Sequence, residues 1–282
     1  MGRVDHYENF PVASVLLPRR MRAAVAAIYR FARSADDFAD EGDHPPEWRL
    51  QQLRGYRACL DVLARGQPCS DPPFDALAAA IAAHRLPLQP FYALLSAFEQ
   101  DVTHGRYASF AELLDYCARS ANPVGRLLLA LFGVADQRSE AQSDAICTAL
   151  QLINFWQDVA IDWRKNRIYV PQDDLARFAV PEADIAEGRP TDAFRACMAF
   201  QVRRTRAMML SGAPLARRIG GRFGYELRLV VEGGLRILER TEQAGFDVFR
   251  HRPVLTPGDW MLMLLRSATR RPGPAIAAGV SP

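Results

Sequence analysis

Apolar residues recur along most of the chain at the spacing that places them on one face of an α-helix. No segment shows a convincing alternation of apolar and polar residues, the pattern of a half-buried strand. Prolines and glycines interrupt the pattern and mark the helix ends. Helices are predicted over residues 18–40, 47–65, 74–85, 88–103, 110–132 with a break at Asn122-Pro123, 139–163, 172–178, 181–188, 191–213, 215–220, 225–242 and 260–269, and extended chain over 167–171.

The pattern contains no internal repeat and no linker that would divide the chain. The 282 residues, 49% of them hydrophobic, are enough to bury one large core. We therefore predict a single all-α domain over residues 1–270. Residues 271–282 are rich in proline, glycine and alanine, and we predict that they form a disordered tail.

Two pairs of aspartates stand out within the helical pattern: Asp36 with Asp40, and Asp158 with Asp162. The members of each pair are four residues apart, so both carboxylates leave one face of a helix, where like charges repel. Apolar residues surround both pairs, which predicts that they line a cavity. Carboxylate oxygens together with substrate phosphate oxygens are the ligands that Mg²⁺ prefers. If the two pairs face each other, they form a site for Mg²⁺ and a diphosphate.

Polar companions at helical spacing strengthen this interpretation. Tyr29 and Arg33 share the stripe of the first pair, and Asn154 shares that of the second. One acidic pair alone is usually a solvated helix face, whereas two pairs with such companions favour a binding site. Arg33 can hold a diphosphate oxygen or a carboxylate, and Asn154 offers a metal an amide oxygen without adding charge.

Charge and hydropathy exclude several classes of protein. The net charge of +3 predicts no strong attraction to nucleic acid. No apolar run approaches the ~18–20 residues that a membrane span needs, and the polar first ten residues show no secretory signal. We expect a cytoplasmic protein that at most makes peripheral contact with the inner face of the membrane.

The cysteines bear on disulfides and metal binding, and one apolar run near the end of the chain bears on membrane contact. Five cysteines without any C-x-x-C spacing argue against a disulfide framework or a zinc site, and they fit a reducing compartment. The apolar run at residues 260–265 has two interpretations, a packed terminal helix or a patch that touches a membrane. Packing is the more common outcome.

Several motifs, in this order along the chain, resemble the squalene/phytoene synthase family of head-to-head prenyl transferases. The resemblance covers roughly residues 5–252 and is most similar in detail to the hydroxysqualene-forming branch of bacterial hopanoid biosynthesis. The motifs lie at residues 29–40, 98–101, 107, 113–117, 154–162 and 167–171, and residues 6–14 are similar to a substrate-covering segment.

The resemblance implies a fold, a reaction and a set of roles. The fold is the isoprenoid synthase helical bundle with a central cavity. The reaction is the Mg²⁺-dependent ionisation of presqualene diphosphate, rearrangement of the cation and quenching by water, which releases hydroxysqualene and pyrophosphate. Other hopanoid-pathway enzymes are implied as partners. The implied metal ligands are Asp36, Asp40, Asn154, Asp158 and Asp162, the implied substrate-binding residues are His6, Asn9, Phe10, Tyr29, Arg33, Asn154, Arg167 and Tyr169, and the implied catalytic residues are the four aspartates and the cavity residue Tyr116.

The sequence departs from the family pattern at two places, and each departure suggests a hypothesis. The run Ser120-Ala121-Asn122-Pro123-Val124-Gly125 places polar groups and a helix break where the family is usually apolar. We hypothesise that Asn122 holds the quenching water; the alternative is a structural kink with a satisfied asparagine. Gln157 stands where the family often has arginine, which predicts that one contact to the diphosphate is missing.

Other functions remain open at this stage. The nearest is a condensing member of the same family that uses farnesyl or geranylgeranyl diphosphate. A terpene cyclase would share the acidic clamp but not this set of motifs. A ferritin-like di-iron bundle needs Glu-x-x-His on two helices. Only residues 41–44 fit that spacing, and they lie in a turn-forming stretch. The aromatic and apolar candidates for the cavity wall are Phe10, Phe31, Tyr116, Leu128, Leu150 and Phe155, and those other than Tyr116 could instead be plain core.

Overall fold

The chain folds into helices joined by short connections. The computed structural model describes residues 18–69, 71, 73–134 and 136–269. The helices in these ranges are α1 Arg19–Asp40, α2 Pro46–Ala64, α3 Phe74–His84, α4 Gln89–Asp101, α5 Phe110–Ser120, α6 Asn122–Leu131, α7 Gln137–Gln157, α8 Val159–Arg164, α9 Gln172–Arg177, α10 Glu182–Ala186, α11 Asp192–Gly212, α12 Leu215–Ile219, α13 Gly221–Gln243 and α14 Pro257–Thr269. The predicted all-α fold is confirmed.

Local chemistry explains where several helices begin. Ser109, Asp136 and Thr191 each accept a hydrogen bond from a backbone N–H in the first turn of α5, α7 and α11. Proline, which lacks a backbone N–H, stands at the start of α2 and in the first turn of α6. The predicted break at Asn122-Pro123 therefore separates α5 from α6.

The predicted helix over 139–163 is wrong in one respect, because it is divided at Asp158. That residue has φ −104° and ψ 12° and ends α7. Its carbonyl still accepts the N–H of Asp162 at 2.8 Å, so the second acidic pair remains one turn apart. Contacts from a distant segment to Gln157 and Asp158 accompany the break.

Two apolar clusters form the core, and α6 contributes to both. Leu127 and Leu131 pack into the cluster built largely by α1–α4, while Leu129 packs into the cluster of α5, α7, α11 and α13. A cavity of about 290 Å³ has walls from α1, α6, α7, α12 and α13, where the two clusters meet. The expected central cavity therefore has walls from both clusters.

An extended segment after α8 carries Arg167 and Tyr169. Ile168 forms an isolated parallel bridge with Arg106, and its N–H donates to the carbonyl of Gly105 at 2.9 Å. The Arg106 guanidinium also donates to the carbonyl of Asn166 at 2.7 Å. These bonds hold the predicted extended stretch against the loop after α4.

One disulfide is present, although the number and spacing of the cysteines argued against a disulfide framework. Cys59 in α2 and Cys69 in the following loop are joined by a disulfide, while Cys117, Cys147 and Cys197 are free thiols. The number and spacing of the cysteines do not indicate this pair, because Cys59 and Cys69 come together only when the loop folds against α2. Within the described ranges, no helix has the combination of length and apolar character needed to cross a bilayer.

Candidate active site

The two acidic pairs meet through Asp40. Its carboxylate contacts Lys165 Nζ at 2.9 Å and Arg167 Nη2 at 2.7 Å, and both cations follow the second pair in the chain. Burial and these bonds act on its pKa in opposite directions, and the bonds prevail, so the pKa of Asp40 is lowered. A polar cleft of about 340 Å³ lies beside Asp40 and is lined in part by the same two cations. Asp40 therefore lies against the segment that follows the second pair, and its charge acts on the pKa of Asp162. That the two pairs share a metal and a diphosphate stays a prediction.

Arg33 holds the first acidic cluster together on α1. Its guanidinium contacts Asp36 at 3.1 Å and Asp37 at 2.6 Å. Burial, followed by the charge of Asp40, raises the pKa of Asp36 to about 6. One arginine therefore does not neutralise the carboxylates that share this turn.

The second acidic cluster has a partner that sequence reasoning missed. Arg252, from the segment between α13 and α14, contacts Asp158 with Nε–Oδ1 at 2.5 Å and Nη2–Oδ2 at 3.2 Å. Its Nη1 is buried and has no hydrogen-bond partner among the described residues. The Gln157 amide donates to the carbonyl of Pro253, next to this arginine, at 2.5 Å. The segment that carries Arg252 therefore contacts both Gln157 and Asp158.

Asp162 is the most strongly perturbed carboxyl of the two pairs. Burial, followed by the negative charge of Asp158, raises the pKa of Asp162 to about 8. Arg167 and Lys165 act in the opposite direction without cancelling this effect. Without a further cation beside it, Asp162 therefore favours its neutral form at neutral pH.

Four aromatic rings form a cluster next to the acids. Phe155 and Tyr169 stack with their ring centroids 3.7 Å apart and their planes at 5°. Tyr107 lies 5.4 Å from Tyr116 and 5.6 Å from Tyr169 between ring centroids. Ring faces at this position offer negative electrostatic potential to a cation.

Asp101 links the aromatic cluster to the acidic pairs and was not predicted as a site residue. The hydroxyl of Tyr116 donates to Asp101 Oδ2 at 2.8 Å, and Arg167 Nη2 donates to the Asp101 carbonyl at 2.7 Å. Burial raises the pKa of Asp101 to about 7, and its Oδ1 accepts no hydrogen bond from any described residue. The place of Asp101 in the family motif at residues 98–101 could have identified it from the sequence.

The remaining predicted residues fall in different surroundings. Tyr29 lines the apolar cavity, and Asn154 is exposed on α7, one turn before Asp158. Asn122 is buried, and its amide oxygen accepts a hydrogen bond from Thr148 at 2.9 Å, as the structural-kink alternative requires. His6, Asn9 and Phe10 lie outside the described residues, as does the predicted tail.

Apolar side chains form most of the cavity wall. Leu128 and Leu150 line it, as predicted. Phe31 does not, because it is fully buried among Tyr56, Phe74 and Phe91. Its alternative assignment to the core is therefore correct.

Comparison with known proteins gives the family. A family model described as squalene/phytoene synthase matches residues 4–259. The chain belongs to this family. It is 35% identical to a hydroxysqualene synthase of Rhodopseudomonas palustris, with 93% of this chain and 88% of that protein covered. It is also 31% identical to a 15-cis-phytoene synthase of Synechococcus elongatus, with 87% and 83% covered.

Solved structures of family members agree with the fold. A squalene synthase from Alicyclobacillus acidocaldarius has a TM-score of 0.79 and 38% sequence identity, covering 86% of this chain and 90% of that one. A dehydrosqualene synthase crystallised with a ligand has a TM-score of 0.81 at 21% identity and covers 90% and 88%; it is similar in fold. The predicted family and the isoprenoid synthase bundle are confirmed.

Proposed function

We propose that this enzyme is a hydroxysqualene synthase, which ionises presqualene diphosphate with Mg²⁺, rearranges the cation and quenches it with water to release hydroxysqualene and pyrophosphate. The observation that carries this proposal is the contact of Asp40 with Lys165 and Arg167, which places the first acidic pair against the segment that follows the second pair. Tyr29 and Ala32 of the same helix, α1, line the apolar cavity. The 35% identical relative is named a hydroxysqualene synthase, which supports this branch of the family.

The side chains fit a divalent cation. Burial, followed by neighbouring carboxylates, raises the pKa values of Asp36 and Asp162, and a bound cation would favour their charged forms. Oxygen donors of this kind suit Mg²⁺, and Asp36, Asp40, Asp158, Asp162 and the amide oxygen of Asn154 would hold it. When bound, the metal acts as a Lewis acid toward the departing diphosphate.

The chain's own cations would hold the leaving group. Arg33, Arg167 and Arg252 border the acidic pairs, and their guanidiniums can donate charge-assisted hydrogen bonds to phosphate oxygens. Negative charge grows on the diphosphate as its carbon–oxygen bond breaks, so fixed cations stabilise the transition state more than the ground state.

The carbocation would be left against aromatic and apolar walls. The rings of Tyr116, Phe155 and Tyr169 stabilise positive charge without a nucleophile that would capture it. Leu128 and Leu150 exclude bulk water from the apolar tails. One water must still reach the cation to form the alcohol, and the proposal that Asn122 holds it stays a prediction.

A product assay tests the proposal. The purified chain is incubated with Mg²⁺ and without nicotinamide, separately on presqualene diphosphate and on farnesyl diphosphate, and the extracted lipids are identified by mass spectrometry. We expect hydroxysqualene from presqualene diphosphate and no consumption of farnesyl diphosphate. Hydrocarbon or presqualene diphosphate formed from farnesyl diphosphate would contradict it.

A condensing reaction is the second candidate. The 31% identity to a phytoene synthase over 87% of this chain supports it, because the acidic clamp is suited equally to two prenyl diphosphates. In that case the enzyme consumes farnesyl or geranylgeranyl diphosphate in the same assay. For either reaction we propose a cytoplasmic location at the inner face of the membrane, beside other hopanoid-pathway enzymes if the product is hydroxysqualene.

A further inference from the structure

The last described helix, α14, has an apolar outer face. Side chains are described for residues 257–267 of this helix, and the exposed ones are Pro257, Gly258, Met261, Leu264 and Leu265. None of these five is charged or polar. Met261 is 70% exposed and Leu265 is 62% exposed, while both stand one turn apart on the same side of the helix.

The polar residues of α14 face the protein instead. Asp259 is 2% exposed and contacts Arg236 at 2.6 Å and Arg240 at 2.8 Å on α13. Ser267 is buried and lies 3.3 Å from the hydroxyl of Tyr225, with Oγ as the donor. This is the reverse of a surface helix, which turns its charges outward and its apolar stripe inward. Ordinary packing of the terminal run therefore does not account for the outer stripe.

Arginines lie beside this stripe and in the sequence that follows it. Arg266 is paired with Glu239 of α13 at 2.8 Å and so adds no net charge. Arg222 on α13 is exposed, one turn before Tyr225, which contacts Ser267. The sequence after α14 continues with Arg270 and Arg271, and the single acid of α14 is neutralised inside. An apolar stripe with these arginines near it in structure and in sequence fits the interface of a bilayer that contains anionic lipids.

The same helix that supports α14 also forms a wall of the cavity. Phe223 and Leu227 of α13 line the cavity, while Tyr225 and Arg228 of the same turns contact Ser267 of α14. The outer stripe is therefore one helix away from the space proposed to take apolar chains.

We propose that the outer face of α14, defined by Met261, Leu264 and Leu265, docks onto an anionic lipid bilayer with the helix lying parallel to the surface. Docking there would place the cavity wall near the membrane, so that apolar substrate and product need not cross much water. The docking itself does not depend on which diphosphate is the substrate.

Sedimentation with lipid vesicles tests this surface. The full chain is mixed with phosphatidylcholine vesicles, with or without phosphatidylglycerol, and the bound fraction is measured at low and high salt. We expect binding to the anionic vesicles that weakens with salt. In a Met261→Ser/Leu265→Ser variant we expect affinity to fall about tenfold or more, because two apolar side chains no longer enter the lipid.

Leu210→Ser is the matched control, because Leu210 is 51% exposed on another helix, α11. Its vesicle binding should equal that of the wild type, and circular dichroism confirms that both variants fold. Equal binding by the double variant overturns the proposal, as does a wild type that binds neither vesicle. A double variant that abolishes a wild-type dimer in light scattering without vesicles also overturns it, since a second copy would then cover the face. Sedimentation measures no turnover, so its failure is distinct from failure of the product assay.

Discussion

Among single residues, Arg252 is a candidate to compensate a departure from the family motif. Gln157 has no charge to offer the diphosphate, but its amide bonds the carbonyl of Pro253 and so fixes the neighbouring arginine against Asp158. The predicted loss of one diphosphate contact therefore needs revision: we propose that the guanidinium comes from Arg252.

Replacing Arg252 with glutamine should lower kcat/KM about a hundredfold, since one preorganised donor to the developing charge is removed. Steady-state kinetics on the substrate found in the product assay measures this. Arg250→Gln is the matched control, because Arg250 is 72% exposed and only two residues away. Equal effects of the two substitutions would show that Arg252 contributes nothing beyond its charge.

The raised pKa of Asp162, about 8, predicts how stability depends on pH without metal. Between the usual aspartate pKa and about 8, Asp162 binds more protons in the folded protein than in the unfolded chain. The contribution of Asp162 to the free energy of unfolding therefore decreases as the pH rises through this range. Asp162→Asn removes this contribution. The variant should therefore gain in Tm relative to wild type from about pH 5 to about pH 8.

Thermal melts in the presence of a chelator measure this difference. Asp75→Asn, at an exposed position in the first turn of α3, controls for the loss of one carboxylate. If the Tm of the wild type and of Asp162→Asn changed in parallel with pH, the raised pKa of Asp162 and the burial that causes it would be refuted.

Among the elements, the short extended segment at 166–170 matters most for the site. It carries Arg167 and Tyr169 but has no helix of its own, so the loop at Gly105 and Arg106 must hold it. A Cβ at Gly105 would lie 2.6 Å from the carbonyl oxygen of Asn166. This close approach of two backbones requires glycine.

Gly105→Ala should therefore destabilise the fold by about 1–3 kcal/mol and reduce kcat/KM as well, because the segment that positions Arg167 is displaced. Urea unfolding and kinetics measure the two effects. Gly55→Ala serves as the control, since nothing lies within 4 Å of an added Cβ in the middle of α2. That substitution should stabilise by about 0.5–1 kcal/mol and leave activity unchanged. A fully active Gly105→Ala enzyme would contradict the positioning role of the loop.

For the whole molecule, the site joins the two core clusters, because α1 belongs to one and α7 to the other. A ligand that both acidic pairs bind should therefore stabilise the complete fold. Mg²⁺ together with inorganic pyrophosphate, at about 100 times the dissociation constant, should add about 3 kcal/mol to the free energy of unfolding. Either component alone should add less.

Thermal melts with each component and with both measure this stabilisation. It should be lost in Asp158→Asn and retained in Asp75→Asn. Equal stabilisation of both variants would argue against the second pair as part of the site. Tightly bound iron in the purified protein would instead favour the di-iron alternative.

The sequence by itself determined the helices, the family and the two acidic pairs. Helical periodicity, prolines and caps act within a few residues, so most predicted helices match the observed ones within a few residues. The i,i+4 spacing of the aspartates is likewise local, and each pair remains one turn apart.

Only the tertiary structure decided what these groups contact. Arg252 meets Asp158 across 94 residues, and Arg106 meets Asn166 across 60, separations at which no periodicity carries information. Burial, which raises the pKa values of Asp101 and Asp162, also arises from packing between distant segments. The apolar run of α14 shows the same division: its composition is readable in sequence, but packing against α13 decided that Asp259 turns inward and Met261 outward.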